Sequence, residues 1–134
     1  YQKALTTFNE SIRLQPGGDP ETYYWIGEVY RVGLNQPDKA ISAYRDSLRL
    51  RPNDARTINQ IGLVHAERLE YPEALAAFKE AIRLKPSNGL YHSNVGLLYL
   101  RVGMKKEAQE VYRTLLTLDK KKAQELYEAI NESK

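Results

Sequence analysis

With 134 residues and 42% hydrophobic side chains, the chain is long enough to form one domain with a substantial apolar core. Charged residues make up 28% of the chain and leave a net charge of only +3, so no strong field favours nucleic acid or an anionic membrane as the partner. The absence of cysteine excludes disulfides, thiolate nucleophiles and thiolate metal sites.

The sequence predicts a protein that does not insert into a membrane. No stretch of eighteen apolar residues occurs, and no signal peptide opens the chain. We therefore expect a soluble protein, with the cytoplasm slightly favoured over the periplasm. Because Tyr1 already stands inside an amphipathic pattern, we also expect the chain to be part of a longer or processed protein.

Eight helices are predicted along the chain. Apolar and small residues recur at intervals of three and four, as at Ile58, Ile61, Gly62 and His65, which is the stripe of an amphipathic helix. The predicted helices are 2–15, 20–33, 37–50, 54–69, 72–84, 88–102, 105–118 and 120–132. Since His65 and His92 both fall on such stripes, packing is a better interpretation for them than catalysis or metal binding.

Residues that start and stop helices lie at the ends of these segments. Asp19 is a predicted N-cap with Pro20 at the first helical position, and Pro72 suits the start of a later helix. The predicted caps of two further helices are Asn53 or Asp54, and Ser87 or Asn88. Three helices are stopped by a proline that lies two residues after their final leucine, at Pro16, Pro52 and Pro86.

The same pair of helices recurs with a period of about 34 residues. The second helix of each pair begins its stripe with an alanine, and these alanines are spaced by 36, 34 and 34 residues, at Ala4, Ala40, Ala74 and Ala108. The first helix carries a glycine, with spacings of 35 and 34 residues, at Gly27, Gly62 and Gly96. A repeat of this length that reads helix, turn, helix predicts an all-helical solenoid.

The repeated glycines predict close packing within each helix pair. A glycine inside a helix costs about 1 kcal/mol relative to alanine, so each one needs a compensating contact. We expect each glycine to face the small alanine of the second helix, which lets the two helices approach closely. The rings of Tyr44, Phe78 and Tyr112 would then fill the wider part of the gap.

The period and the recurring glycine, alanine, aromatic residue and closing proline resemble the tetratricopeptide repeat (TPR), and the resemblance covers nearly the whole chain. It implies an all-α, right-handed superhelical solenoid of antiparallel helix-turn-helix units. The units would be the second helix of an incomplete repeat (1–18), three full repeats (19–52, 53–86 and 87–119) and a C-terminal capping helix (120–134). Two features depart from the pattern, an extra residue in the loop near 35–37 and Lys120 in place of a proline. Pentatricopeptide arrays, which read RNA, have a similar length but lack this pattern.

In the TPR family, the first helices of the units line a concave groove in which protein ligands bind. Transferred to this sequence, that geometry places twelve residues in the groove: Tyr24, Trp25, Glu28, Arg31, Asn59, Gln60, Leu63, Glu67, Ser93, Asn94, Leu97 and Arg101. Side-chain amides pair with the donors and acceptors of a peptide backbone, and exposed leucines offer apolar contacts. The resemblance therefore implies a groove for an extended or helical peptide.

Several groove residues have more than one interpretation. Trp25, the only tryptophan, is either a binding anchor beside Tyr24 or a structural aromatic residue. The side-chain amides either grip a peptide backbone or are solvated polar groups. Some TPR proteins clamp the C-terminal carboxylate of chaperones with basic residues, but the matching positions here are Tyr24, Glu28, Gln60, Leu90 and Asn94. Since none of these is basic, we do not expect that function.

Patterns of catalysis are missing from the sequence. It contains neither a GxSxG motif nor a glycine-rich phosphate loop, so we expect no enzyme activity, no cofactor and no metal site. The basic run Lys120, Lys121 and Lys122 is not interleaved with aromatic residues, which favours a solvated helix end over a nucleic-acid site. We therefore do not expect nucleic acid as a partner.

The function predicted from the sequence is a non-catalytic module that binds a protein or peptide ligand as a scaffold or adaptor. The alternative is a structural array that self-associates or serves as a spacer within a larger assembly. Because the sequence shows no first helix to pack against Ala4, Phe8 and Ser11 of the helix at 2–15, we expect an exposed strip with Phe8 and Leu5 and self-association through this N-terminal helix.

Overall fold

The computed structural model describes residues 1–133. Within these residues the chain forms eight α-helices and one π-helical turn, and no strand. The elements in chain order are α1 (Gln2–Leu14), α2 (Pro20–Glu28), the π-helical turn (Val29–Gly33), α3 (Pro37–Leu50), α4 (Ala55–Glu67), α5 (Tyr71–Leu84), α6 (Gly89–Arg101), α7 (Lys105–Leu118) and α8 (Lys120–Glu132). The predicted helices are thus present with ends shifted by one or two residues, while the predicted capping unit 120–134 reaches Lys134, outside the described residues.

The starts of α2, α4 and α6 carry the side-chain caps that local chemistry predicts. The Asp19 carboxylate accepts a hydrogen bond from the Thr22 N–H at 3.1 Å, and Pro20 is the first residue of α2. At the two positions where the sequence left alternatives, the caps are Asp54 for α4 and Asn88 for α6. Each cap satisfies a backbone donor that has no partner inside the helix.

The extra residue of the first pair lies in a π-helical turn and not in the loop near 35–37. The Leu34 N–H donates to the Val29 carbonyl at 2.9 Å, five residues back, which widens the helix by one residue. The turn before α3 closes with a bond from Gln36 to Tyr30, six residues apart. The equivalent bonds before α5 and α7 span five residues, Glu70 to His65 and Met104 to Tyr99. The predicted loop shift is therefore wrong, because the helix absorbs the insertion.

Consecutive helices pack as three hairpins, α2 with α3, α4 with α5, and α6 with α7. The alanines of the second helices, Ala40, Ala74 and Ala108, are completely buried. The glycines, however, meet aromatic rings instead of these alanines. A Cβ added to Gly62 would lie 2.6 Å from the Phe78 ring, and one added to Gly27 would overlap the Tyr44 ring. The predicted glycine–alanine contact is therefore wrong, since the missing side chain makes room for the ring itself.

The third hairpin differs because α8 covers it. A Cβ on Gly96 would lie 2.7 Å from Leu126 of α8 and 3.1 Å from Val111, so an aliphatic side chain occupies the place that the ring was expected to fill. The Tyr112 ring stacks instead on Tyr127, with their centroids 5.5 Å apart. Three residues of α8 are buried against α6 and α7: Ala123, Leu126 and Ile130.

Helix α1 packs against α2 through the apolar strip that was expected to lie bare. Leu5 is only 6% exposed, and Phe8 and Ile12 are half-buried in the same cluster, which includes Ile26. The prediction of an exposed Leu5 is therefore wrong, because α2 covers it. The apolar residue of α1 that remains exposed near its end is Leu14.

Candidate binding groove

The predicted groove residues lie on α2, on the π-helical turn that continues it, and on α4 and α6, and they differ in accessibility. The exposed ones are Trp25, Glu67, Leu97 and Arg101, and the half-buried ones are Glu28, Arg31, Leu63 and Asn94. The buried ones are Tyr24, Asn59, Gln60 and Ser93. Hydrogen bonds join α2 to α4 and α4 to α6, so the predicted residues do come together on one face. The four buried side chains, however, offer no free contact surface.

Tyr24 belongs to the core and not to the groove surface. Its ring is 6% exposed and packs in one cluster with Ala40, Tyr44 and Val64. Trp25 lies edge-on against the Tyr24 ring, with the centroids 5.1 Å apart, and is itself 47% exposed. Both interpretations of Trp25 thus rest on real features, since one edge is packed while nearly half of the side chain is open to solvent.

Glu28 is the centre of a polar network that links three helices. Its carboxylate accepts hydrogen bonds from the Tyr44 hydroxyl and from the Gln60 amide, the latter at 2.7 Å. The Arg31 guanidinium lies 3.4 Å from the second oxygen of the same carboxylate. Burial opposes ionisation of Glu28, but the hydrogen bonds outweigh it, so the pKa of Glu28 lies below its ordinary value. The group is therefore an anion at neutral pH.

The partners of Glu28 are fixed in their protonation states as well. Burial and the neighbouring carboxylate raise the pKa of the Tyr44 hydroxyl well above its ordinary value. Burial alone would lower the pKa of Arg31, but its bond to Glu28 raises it. Arg31 also donates to Glu67 on α4 at 2.8 Å. Glu28 and Glu67 thus share the single positive charge of Arg31, and Glu28 is further stabilised by the neutral donors of Tyr44 and Gln60.

The side-chain amides bond to one another across the groove. The Asn59 amide donates to Gln60 at 3.3 Å, and the Asn94 amide donates to the Asn59 oxygen at 2.8 Å. The bond from Asn94 connects α6 to α4, and because Asn59 is 2% exposed, both bonds leave Asn59 little freedom to meet a ligand. No side chain or backbone donor within residues 1–133 bonds to the Oδ1 atom of half-buried Asn94.

Arg56 is a groove residue that the sequence analysis missed. Its guanidinium lies 3.8 Å above the Tyr24 ring and bonds to Glu21 of α2 at 2.5 Å. Burial opposes the charge, but the carboxylates of Glu21 and Asp54 together raise the pKa of Arg56. Its place three residues before Asn59, on the same helical face, was the signal that could have found it.

A cavity of about 230 Å³ opens between α4 and α6. Buried Phe78 and Leu98 contribute apolar surface to it, and its other lining residues are Leu63, Ala66, Glu67, Asn94, Leu97 and Arg101. Small-molecule sites typically measure about 300–1,000 Å³, so this cavity suits one or two side chains of a peptide better than a whole ligand. Ala66, Phe78 and Leu98 were not among the predicted groove residues.

Both histidines of the described residues are engaged in local contacts. His65 lies 3.1 Å from the Glu70 carboxylate, and a ring nitrogen of His92 lies 2.7 Å from the Pro86 carbonyl. Among residues 1–133, no group of three or more His, Asp or Glu side chains is gathered in a way that could hold a metal ion. In the same part of the chain, no helix combines the length and the apolar character needed to cross a membrane.

The helical hairpins stack as a solenoid, and their first helices share one face that carries both polar and apolar side chains. This arrangement is typical of helical repeat proteins with a concave surface. Residues 20–54 and 91–122 match the tetratricopeptide repeat, and residues 70–103 match a further TPR repeat. The chain belongs to the tetratricopeptide repeat family, whose repeats are protein-interaction modules. A comparison with curated proteins finds no match.

Solved structures of TPR proteins share the fold. MamA from Desulfovibrio magneticus RS-1, residues 41 to the end, is 25% identical with a TM-score of 0.79, covering 90% of this chain and 67% of that one. The TPR2B domain of yeast Sti1, in complex with pHsp70, is 20% identical with a TM-score of 0.76, covering 86% and 98%. The TPR domain of Arabidopsis OM64 is 18% identical with a TM-score of 0.75, covering 84% and 94%.

Proposed function

We propose that this chain is a non-catalytic scaffold or adaptor module that holds a peptide or protein segment in the groove formed by α2, α4 and α6. The repeats that build the groove would be 19–52, 53–86 and 87–119, flanked by α1 and by the capping helix. The partner class follows from the family, because tetratricopeptide repeats are protein-interaction modules.

The observation that carries the proposal is the cavity between α4 and α6. Its apolar surface opens on the groove, and Leu97 beside it is 43% exposed. Leu90, about two turns before Leu97 on the same helix, is 45% exposed. Exposed leucines beside an apolar cavity are the kind of surface that a partner side chain covers.

The state of the groove carboxylates supports a non-catalytic role. A general acid at neutral pH needs a raised pKa, whereas the pKa of Glu28 is lowered by its hydrogen bonds. The second carboxylate of the groove, Glu67, is held by Arg31. Both groups thus serve the structure of the groove.

The proposal is tested by selecting peptides from a random display library on the purified chain and measuring their affinities for two matched variants. Leu97→Asp places a charge beside the cavity, and Leu116→Asp places the same charge at a leucine of α7 with nearly equal exposure, 44%. We expect Leu97→Asp to weaken binding about tenfold or more and Leu116→Asp to leave it unchanged. Equal affinities for the two variants would show that the groove is not the binding surface.

Self-association through α1 is the second candidate function. Leu14 on α1 is 69% exposed and lies on the same helix as half-buried Phe8, so the helix retains apolar surface for a second copy. Sedimentation velocity over a concentration series tests this. We expect a dimer that Leu14→Asp disrupts and Leu116→Asp does not; a monomer at every concentration would refute the candidate.

A further inference from the structure

We infer that the cavity between α4 and α6 recognises an apolar side chain of leucine or phenylalanine size that is flanked in the ligand by an acidic residue. The inference rests on the proposed function and adds the chemistry of the peptide. Neighbouring side chains make three contributions to this recognition: apolar lining of the cavity, an acceptor for a peptide N–H, and a cation without an ion-pair partner within residues 1–133.

The apolar role belongs to the inner surface of the cavity. Phe78 is 1% exposed and Leu98 is 4% exposed, so both are held rigidly by the core while still lining the cavity. Leu63 and Leu97 form further apolar lining. A volume of about 230 Å³ accommodates a side chain of leucine or phenylalanine size and is smaller than a typical small-molecule site.

The backbone role belongs to Asn94. Its amide group is held by the bond to Asn59, which leaves the Oδ1 oxygen turned to a fixed position on the cavity lining. This oxygen accepts no hydrogen bond from residues 1–133. An acceptor fixed in this way suits the N–H of a peptide backbone that passes over the cavity.

The charge role belongs to Arg101. Two charged residues line the cavity, Glu67 and Arg101. Glu67 is paired with Arg31 at 2.8 Å, whereas Arg101 forms no ion pair within the part of the chain that the structure describes. Arg101 is therefore the charged residue of the cavity lining that has no ion-pair partner among the described residues, which favours an acidic neighbour of the apolar side chain and disfavours a basic one.

The other half of the groove does not offer these roles. Between α2 and α4, the Glu28 carboxylate is filled by bonds from Tyr44 and Gln60, and Arg31 is shared between two carboxylates. A ligand would have to break these bonds to find a polar partner at Glu28 or Arg31. Recognition of a side chain is thus concentrated between α4 and α6.

The test uses three short capped peptides of glycine and serine whose central residues are Glu-Leu-Glu, Lys-Leu-Lys or Glu-Ala-Glu. Titration of the isotope-labelled chain followed by NMR gives both the affinity and the residues that respond. We expect Glu-Leu-Glu to bind about threefold tighter than Lys-Leu-Lys, as one exposed ion pair allows, and about tenfold tighter than Glu-Ala-Glu. The responding amides should be those of Asn94, Leu97 and Arg101.

Charge reversal at Arg101 provides the decisive variant. Arg101→Glu should reverse the preference between the acidic and the basic leucine peptide, while Arg113→Glu, an exposed arginine of α7, should leave it unchanged. Salt at about 0.5 M should reduce the preference in the parent chain, because exposed charges are screened. An unchanged preference in Arg101→Glu would overturn the inference.

The two proposals fail in different ways. If the peptides shift only residues near Trp25, or none of them binds at millimolar concentration, the recognition assigned to this cavity is wrong. The library selection still decides the proposed function, because it makes no assumption about peptide chemistry. If Leu97→Asp leaves the selected peptides bound, the proposal that the groove is the binding surface is wrong.

Discussion

The two halves of the groove are built on the same helical repeat but differ in the chemistry of their surfaces. Between α2 and α4 the groove is closed by a network of charged and polar side chains around Glu28, and between α4 and α6 it opens into a cavity with apolar lining. The residue that follows the helix glycine makes much of this difference. It is Glu28 after Gly27, but Leu63 after Gly62 and Leu97 after Gly96.

The comparison teaches that the repeat determines where a side chain lies and the individual residue determines what that place can do. A carboxylate at this position collects donors from neighbouring helices, because a half-buried anion has to be compensated. A leucine at the equivalent position makes no such demand and leaves the space beside it open. The following predictions test this difference between the halves.

The largest expected effect is the loss of the Glu28 carboxylate. Glu28→Ala leaves the Tyr44 hydroxyl, the Gln60 amide and Arg31 without their acceptor in a half-buried site, which should lower the free energy of unfolding by about 2–4 kcal/mol. Urea denaturation followed by tryptophan fluorescence measures it.

The matched control for this variant is an exposed ion pair. Glu10 and Arg13 on α1 form a pair with the same three-residue spacing, but both side chains are exposed. Glu10→Ala should leave the midpoint of the urea transition nearly unchanged. Equal midpoints for Glu28→Ala and Glu10→Ala would contradict a stabilising network in the first half of the groove.

The second-largest loss of stability is expected for substitutions of the helical glycines, and it should be equal at Gly27 and Gly62. Gly27 and Gly62 each face a ring of the second helix, Tyr44 or Phe78, that is buried to 0% or 1% exposure and cannot retreat. Overpacking typically costs about 1–3 kcal/mol, and replacement of a helical glycine by alanine regains part of it. We expect a net loss of about 1–2 kcal/mol for Gly27→Ala and for Gly62→Ala.

Thermal unfolding of both variants beside the exposed Ser42→Ala measures this effect. A cost at only one of the two glycines would mean that the halves differ in their hairpin packing and not just at the groove surface. No cost at either would show that the rings have room to move.

A smaller effect is expected at the amides that connect the halves. Asn59 is 2% exposed and bonds to Gln60 and Asn94, so Asn59→Ala should cost about 1–2 kcal/mol. Asn94 is half-buried, and Asn94→Ala should cost less while weakening peptide binding. Chemical denaturation combined with peptide titration separates the two effects. The reverse order of stabilities would show that the bond between the amides is not what holds α4 against α6.

The smallest expected effect concerns pH. Because the pKa of Glu28 is lower in the folded chain than in the unfolded one, its contribution is complete above the unfolded value of about 4.5 and is lost as the pH falls through the folded value. The parent chain should therefore lose more stability than Glu28→Gln between about pH 5 and pH 3. Parallel pH profiles for the two proteins would contradict the lowered pKa.

Much of the fold could be predicted because the signals are local. Asp19, the prolines at the helix starts and the stripes of three and four residues act within one or two helical turns, so they are readable from neighbouring letters. The 34-residue period extended these local signals to the whole solenoid. The resemblance to the TPR family, and not these local signals, implied the groove residues on α4 and α6 that line the cavity, Leu63, Glu67, Asn94, Leu97 and Arg101.

Other features could not be predicted because they depend on side chains that meet only after folding. Glu28 finds the hydroxyl of Tyr44 16 residues away and the amide of Gln60 32 residues away, and Asn59 finds Asn94 at a distance of 35 residues. A stripe on one helix does not reveal which partner the next helix presents. For this reason the burial of Asn59 and the contribution of Arg56 were missed.

The sequence by itself determined the helices, their caps, their order and the period that stacks them, since these follow from backbone geometry and short-range contacts. Only the tertiary structure decided that Gly27 and Gly62 face rings, that the extra residue widens a helix at Val29–Gly33, and that one half of the groove is closed while the other is open. The physical reason is that a half-buried charge or an inserted residue settles where the whole surroundings compensate it best, and those surroundings exist only in the packed solenoid.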